Sequence, residues 1–120
     1  MSTKKYDLVE RLIDFSVEIV LFFENLPNTK SSSHLGSQLL RSGTSPSLNY
    51  GEAKAAESPA DFLHKMKVCL KELRETYNCL RIIYKIKAYK SESQVLELIK
   101  EANELISIFV TSINTASRKK

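Results

Sequence analysis

Hydrophobic residues recur at steps of three and four along most of this chain, which is the spacing of one face of an α-helix. The spacing predicts four helices, over about 6–26, 35–57, 59–88 and 92–115. No segment alternates apolar and polar residues as a half-buried strand does. Because short polar loops join the helices, we predict an all-α protein: a single domain folded as an antiparallel up-down-up-down four-helix bundle.

The first predicted helix is apolar over a wide arc. Its inward positions are Leu8, Leu12, Phe15, Ile19, Phe22 and Leu26. Four further apolar residues lie beside them, namely Val9, Ile13, Val20 and Phe23. This extra width is more than one helix of a small bundle needs. It indicates either an oligomer interface or a broad intramolecular core, and the pattern favours neither.

The second predicted helix contains residues that disfavour helix interiors. Gly36, Gly43, Gly51 and Pro46 all fall within it. In a helix interior, Gly costs about 1 kcal/mol and Pro about 3 kcal/mol relative to Ala. We therefore expect a helix that is kinked near Pro46 and held by close packing against its neighbours.

The third predicted helix has two contrasting faces. It starts at a clear signal, with Ser58 as N-cap and Pro59 at the first helical position. Its inward face reads Phe62, Met66, Cys69, Leu73, Thr76, Leu80 and Ile83. Its opposite face is a line at steps of four and three, here called the basic stripe: Lys67, Lys71, Arg74, Asn78, Arg81 and Lys85. Ser91 then caps the fourth helix, whose inward face includes Val95, Leu98, Ala102, Leu105, Phe109 and Ile113.

The net charge of +4 is concentrated around the basic stripe. Residues 61–90 hold eight Lys and Arg against three acids, a local net charge of +5. Such a surface can neutralise nucleic-acid phosphates at Lys67, Lys71, Arg74, Arg81 and Lys85 without reading base sequence. It can also be an ordinary solvated helix face, or can dock an acidic protein partner. Residues 118–120 are expected to form a disordered basic tail.

A second polar set lies on the second and third helices: Arg41, Ser42, Asn49, Glu52, Lys65 and Glu72. It can be interpreted as an acid–base site or as a buried structural network that fixes helix register. The structural interpretation is preferred because no nucleophile is paired with a base.

The sequence offers little for catalysis or metal binding. His34 and His64 have no partners at the spacing of zinc ligands, and Cys69 and Cys79 are too far apart along one helix for a disulfide. No apolar run reaches the roughly 18 residues of a membrane span. We therefore expect a non-enzymatic cytoplasmic protein with no metal, no cofactor and no membrane association.

One stretch carries a family resemblance. Gln38 to Ala53 contains Arg41-Ser42, Asn49 and Glu52-Ala53, and it is followed by Asp61-Phe62 and Lys71-Glu72. This combination closely resembles the bacterial four-helix bundle proteins encoded in 23S ribosomal RNA intervening sequences, over nearly the whole chain. The resemblance implies a bundle. It extends to accessory proteins of diversity-generating retroelements, which are homopentameric rings that bind nucleic acid and a reverse transcriptase. It thus implies self-association as a homopentamer and nucleic acid as a partner, RNA rather than DNA.

Overall fold

The computed structural model describes residues 7–118, which form four α-helices and contain no strand. They are α1 (Leu8–Glu24), α2 (Lys30–Lys54), α3 (Pro59–Lys85) and α4 (Glu92–Arg118). Each helix packs against the next, and a smaller contact between α4 and α1 completes the bundle. Within the described range, the backbones of α1 and α3 do not approach each other closely, so these helices lie diagonally opposite each other. The predicted all-α four-helix bundle is confirmed.

A side-chain oxygen caps the start of every helix. The capping residues are Asp7, Thr29, Ser58 and Ser91, and each accepts the backbone N–H of the residue three positions later at 3.0–3.2 Å. These bonds satisfy donors that have no partner within the helix. The starts of α3 and α4 fall where the sequence predicts them.

The other end points differ from the predictions. α2 begins at Lys30, five residues early, because Thr29 caps it and the following serines occupy its first turn, where they are tolerated. It ends at Lys54 rather than at 57. α1 ends at Glu24, two residues early, and the predicted first position, Tyr6, lies outside the described residues.

α3 ends at Lys85 rather than at 88 because the backbone turns left-handed at Lys87, with a φ of 59°. The N–H of Ala88 then bonds the carbonyl of Ile83 at 3.1 Å, and the N–H of Lys87 bonds that of Tyr84 at 3.1 Å. This pair of bonds is a Schellman motif, which terminates the helix.

α4 continues to Arg118, so the tail expected to be disordered over 118–120 is helical at its first residue. Lys119 and Lys120 lie outside the described residues.

The helix rich in Gly and Pro packs closely against both of its neighbours. Gly43 is buried against Ile19 of α1, and α2 continues without a break through the buried Pro46. On the other side, the Cys69 thiol of α3 donates to the Pro46 carbonyl, at a distance of 3.6 Å. Close packing at these positions explains why α2 tolerates residues that weaken an isolated helix.

The core lies where the inward faces of the four helices meet. Of the inward positions predicted on α1, α3 and α4, Leu8, Leu26 and Phe62 are only partly buried, and the others are buried. One polar pair crosses this core: the Ser42 and Thr76 hydroxyls lie 2.9 Å apart, and the Thr76 hydroxyl also bonds the Glu72 carbonyl at 2.8 Å. Antiparallel α2 and α3 are thus held by hydrogen bonds as well as by apolar contact.

Candidate functional site

The basic stripe lies on the solvent side of α3. All six of its residues are exposed, while the opposite face of the helix, through Met66, Leu73 and Ile83, is fully buried. The helix is therefore fixed in rotation by its core face. That fixed rotation presents one line of cations to solvent over nearly the full length of α3.

The cations of the stripe have no carboxylate partners. Among residues 7–118, Arg11 pairs with Glu101 and Glu104, Arg41 with Glu72 and Glu75, and Lys65 with Asp61. No carboxylate oxygen of the described chain lies within 4 Å of a stripe cation. The stripe is thus available to an external anion, because no internal pair has to be broken first.

The charges of the bundle are separated across its width. α2 and α3 together carry nine Lys and Arg against four acids, a net charge of +5. α1 and α4 carry three against eight, a net charge of −5. Summed charge of one sign on one side of a small protein steers charged partners towards a matching face. An anionic polymer is therefore attracted to the α3 side and repelled from the α1–α4 side.

The two tyrosines beside the stripe are occupied within the chain. Tyr84 stacks on Tyr89 with ring centroids 6.1 Å apart, and its hydroxyl donates to Glu92 at 3.3 Å. The charge of that carboxylate raises the pKa of Tyr84. Tyr77 packs against the core, with the Arg81 guanidinium 5.8 Å from its ring centroid. These contacts favour a packing role over base stacking.

The polar residues of α2 and α3 do not form the single buried network that the sequence suggested. Arg41 lies on the surface, where it bonds Gln38, Glu72 and Glu75. The bond to Glu75, with the nearby carboxylate charges, raises the pKa of Arg41. The Arg41 cluster therefore joins α2 to α3 through a solvent-exposed side chain.

The remaining members of that set are dispersed. Asn49 bonds only within its own helix, to Ser45, and Lys65 bonds Asp61. Ser42 is in the separate core pair with Thr76, and Glu52 is exposed. Helical spacing predicts which residues share a face of a helix. It does not predict how far each side chain on that face is buried.

The oligomer interface suggested for α1 is divided by the structure. Phe23 packs inward against Gly36, and Val9 is half-buried. Ile13 and Val20 instead line an open groove of about 310 Å³ between α1 and α2. Its other lining residues are Ser16, Val17, Leu21, Thr44, Ser47 and Leu48. This apolar groove includes exposed residues that the sequence reasoning missed.

A different pattern in the sequence could have found part of the groove. Glu10, Ile13, Val17, Leu21 and Glu24 follow one another at steps of three and four on the outward side of α1. An apolar line that ends in acids on the outward side of a helix is unusual, because that side normally faces water. Leu48 could not be found in this way, since only the packing of α2 against α1 brings it to the groove.

The thiols and imidazoles are not arranged for nucleophilic or metal chemistry. Burial raises the pKa of the Cys69 thiol to about 12 and that of Cys79 to about 11, so both thiols are protonated at neutral pH. His34 and His64 are exposed. Over residues 7–118, no group of three His, Cys, Asp or Glu side chains is placed to hold a metal ion. No helix in the described part of the chain is long and apolar enough to cross a membrane.

Comparison with known proteins identifies the family. The family model described as 23S rRNA-intervening sequence protein matches residues 4–111. No curated protein matches the chain. Among solved structures, the chain is similar to a protein of unknown function from the S23 ribosomal protein family of Bacteroides thetaiotaomicron VPI-5482. The two share 30% identity with a TM-score of 0.81, covering 89% of this chain and 98% of that one. The match over 4–111 agrees with the motif in α2 and α3, and this chain belongs to the 23S rRNA-intervening sequence protein family.

Proposed function

We propose that this chain is a non-enzymatic RNA-binding protein of the bacterial cytoplasm that assembles into a ring of identical copies, five in number. The observation that carries the RNA-binding part is the basic stripe: five exposed cations in one line, none of them paired with a carboxylate of the described chain. The resemblance to accessory proteins of retroelements that bind nucleic acid supports nucleic acid as the class of partner.

Binding at the stripe is electrostatic. Each Lys or Arg that meets a phosphate releases condensed counterions from the RNA, which favours association without any reading of sequence. Stripe residues one helical turn apart are separated by about 5.4 Å along the axis. Cations of the stripe can therefore meet different phosphates of one strand, with a wider gap between Arg74 and Arg81 because Asn78 carries no charge.

The ring makes this weak surface effective. One stripe offers Lys67, Lys71, Arg74, Arg81 and Lys85, and a ring of five copies repeats around its circumference those that the contacts between copies leave exposed. Once one stripe has bound, the others act at high effective concentration, which can raise avidity by about 10²–10⁴ without new kinds of contact. The ring is supported by the exposed apolar groove on α1 and α2, which a single copy leaves open to water.

Charge reversal tests the proposal. The variant Lys67→Glu/Lys71→Glu/Arg74→Glu should lose binding to a labelled RNA hairpin at low salt. The control Lys30→Glu/Lys54→Glu/Lys100→Glu changes the net charge equally at exposed positions outside the stripe. It should keep most of the affinity. Equal losses in the two variants would show that net charge alone attracts RNA.

The same face could receive an acidic protein instead of RNA, and a pull-down separates the two. If a stoichiometric protein remains bound after nuclease treatment, and its capture is lost in the stripe variant, the partner is that protein. If nuclease removes all bound material, the RNA proposal is supported.

A further inference from the structure

Large apolar side chains that are exposed in the described part of the chain fall into three places. Four of them surround the α1–α2 groove: Ile13, Val17, Leu21 and Leu48. Two more, Ile82 and Ile86, lie one turn apart near the end of α3, and Leu96 stands alone on α4. Leu48 is 71% exposed, which is a large apolar exposure for one residue. Clusters of this kind mark interaction surfaces more often than single exposed residues do.

The groove is bordered by negative charge. Glu10 and Glu24 stand at the two ends of the outward apolar line of α1. Both carboxylates are exposed, and neither has a basic partner within the described chain. A partner of this groove should therefore present apolar side chains together with cations.

The end of α3 has that composition. Ile82 and Ile86 are each about half exposed, and the neighbouring Arg81 and Lys85 are exposed cations of the basic stripe. In size and charge, the α3 end is the complement of the groove. Both surfaces are on the same chain, so the α3 end of a second copy can bind the α1–α2 groove of the first.

The groove is poorly suited to pair with itself. If two copies met through α1 in antiparallel fashion, Glu10 of one copy would approach Glu24 of the other, and like charges would oppose the contact. Because α1 and α3 are diagonally opposite in the bundle, the groove and the α3 end of one chain cannot reach each other. Charge and position together favour a head-to-tail contact between copies.

We propose that the α1–α2 groove of one copy receives the Ile82–Ile86 end of α3 of the next copy. Arg81 and Lys85, about 6 Å apart along α3, then face one end of the groove, at Glu10 or at Glu24, which lie about 21 Å apart along α1. Such a contact is heterologous, and when its rotation closes it generates a ring. The inference rests on the self-association in the proposed function and names its two surfaces. Lys67, Lys71 and Arg74 lie on earlier turns of α3, outside the contact, and stay open to RNA.

Mixing two variants tests the head-to-tail contact. Val17→Asp damages only the groove, and Ile82→Asp damages only the α3 end. Both positions are about half exposed, and thermal unfolding checks that each variant folds. In sedimentation velocity, each variant alone should be a monomer of 13.6 kDa. An equimolar mixture should form a dimer and nothing larger, because only one intact groove and one intact α3 end remain to meet. Leu96→Asp, at the isolated exposed leucine, should assemble like the unmodified chain.

A charge exchange repeats the test with exposed charges alone. Glu10→Lys/Glu24→Lys and Arg81→Glu/Lys85→Glu should each weaken assembly. Mixing them should restore the contact between unlike copies, where opposite charges again meet, although a ring of five must keep one contact between like copies. If the Ile82→Asp variant assembles while the Val17→Asp variant does not, and mixing adds no new species, the groove pairs with itself and the head-to-tail proposal is wrong. If the unmodified chain is an oligomer that none of these changes affects, only this inference fails. If the unmodified chain is a monomer, the ring of the proposed function fails as well.

Discussion

The close approach of α1 and α2 at Gly43 can be tested by adding one methyl group. A Cβ at this position would lie 2.8 Å from Cγ2 and 2.9 Å from Cγ1 of Ile19. Ile19 is completely buried, so its side chain has no open space to move into. Inserting carbon into a well-packed core in this way costs about 1–3 kcal/mol.

Gly51 provides the matched control. It lies in the same helix and is exposed, and an added Cβ would meet no atom within 4 Å. Replacing a helical Gly by Ala gains about 1 kcal/mol of helix propensity, and this gain applies at both positions. The difference between the two variants therefore isolates the clash. Gly43→Ala should unfold with a free energy about 1–3 kcal/mol lower than Gly51→Ala.

Urea unfolding followed by far-UV circular dichroism measures this difference. Both variants should be compared at one protein concentration, because self-association contributes to apparent stability. If Gly43→Ala were as stable as Gly51→Ala, α1 and α2 would not be in close contact at Ile19. The explanation given above for glycine within α2 would then be refuted.

Four further predictions concern single features of the fold. Thr76→Val should lower the free energy of unfolding by about 1–3 kcal/mol, because it leaves the buried Ser42 hydroxyl without its partner, whereas adding Ser42→Ala should recover part of that loss. Lys87→Gly should stabilise the protein by up to about 1 kcal/mol in thermal unfolding, because only Gly adopts the left-handed backbone of the α3 end without steric cost, while Lys87→Ala should show no such gain. Cys69 and Cys79 should react slowly with a thiol reagent at pH 8 until the chain is unfolded; fast labelling of native protein would contradict their burial. Because burial raises both thiol pKa values, to about 12 and about 11, the unfolded chain ionises first, and stability should fall as pH rises above about 9.

The bundle could be predicted because its apolar spacing holds for long stretches on all four helices. The start of α2 could not, since a run of serines is typical of a loop and becomes a first helical turn only when Thr29 provides the cap. The predicted end of α3, at residue 88, was also wrong, because the helix ends at Lys85. Lys87 adopts a backbone conformation for which glycine is the usual signal, so nothing in the sequence marked it.

The candidate surfaces were predictable to different degrees. The basic stripe follows from spacing on one helix, and the structure adds that its cations lack carboxylate partners in the described chain. The apolar groove is formed by two helices, so Val17 and Leu21 appeared solvent-facing on α1 alone, and Leu48 had no visible connection to them. The prediction of one buried polar network was wrong for a related reason. Residues on the same face of a helix can differ in how far their side chains are buried.

The salt dependence of RNA affinity tests the central claim most directly. If stripe cations meet phosphates of single-stranded RNA, the logarithm of the association constant should fall against the logarithm of salt concentration with a slope of about −0.7 per cation. The slope is then about −3.5 when all five bind and about −2 when the subunit contact takes Arg81 and Lys85. The Lys67→Glu/Lys71→Glu/Arg74→Glu variant should flatten that slope by about 2. RNA binding that is undetectable at low salt, or a slope unchanged in the variant, would contradict the assignment of the stripe as the RNA-binding surface.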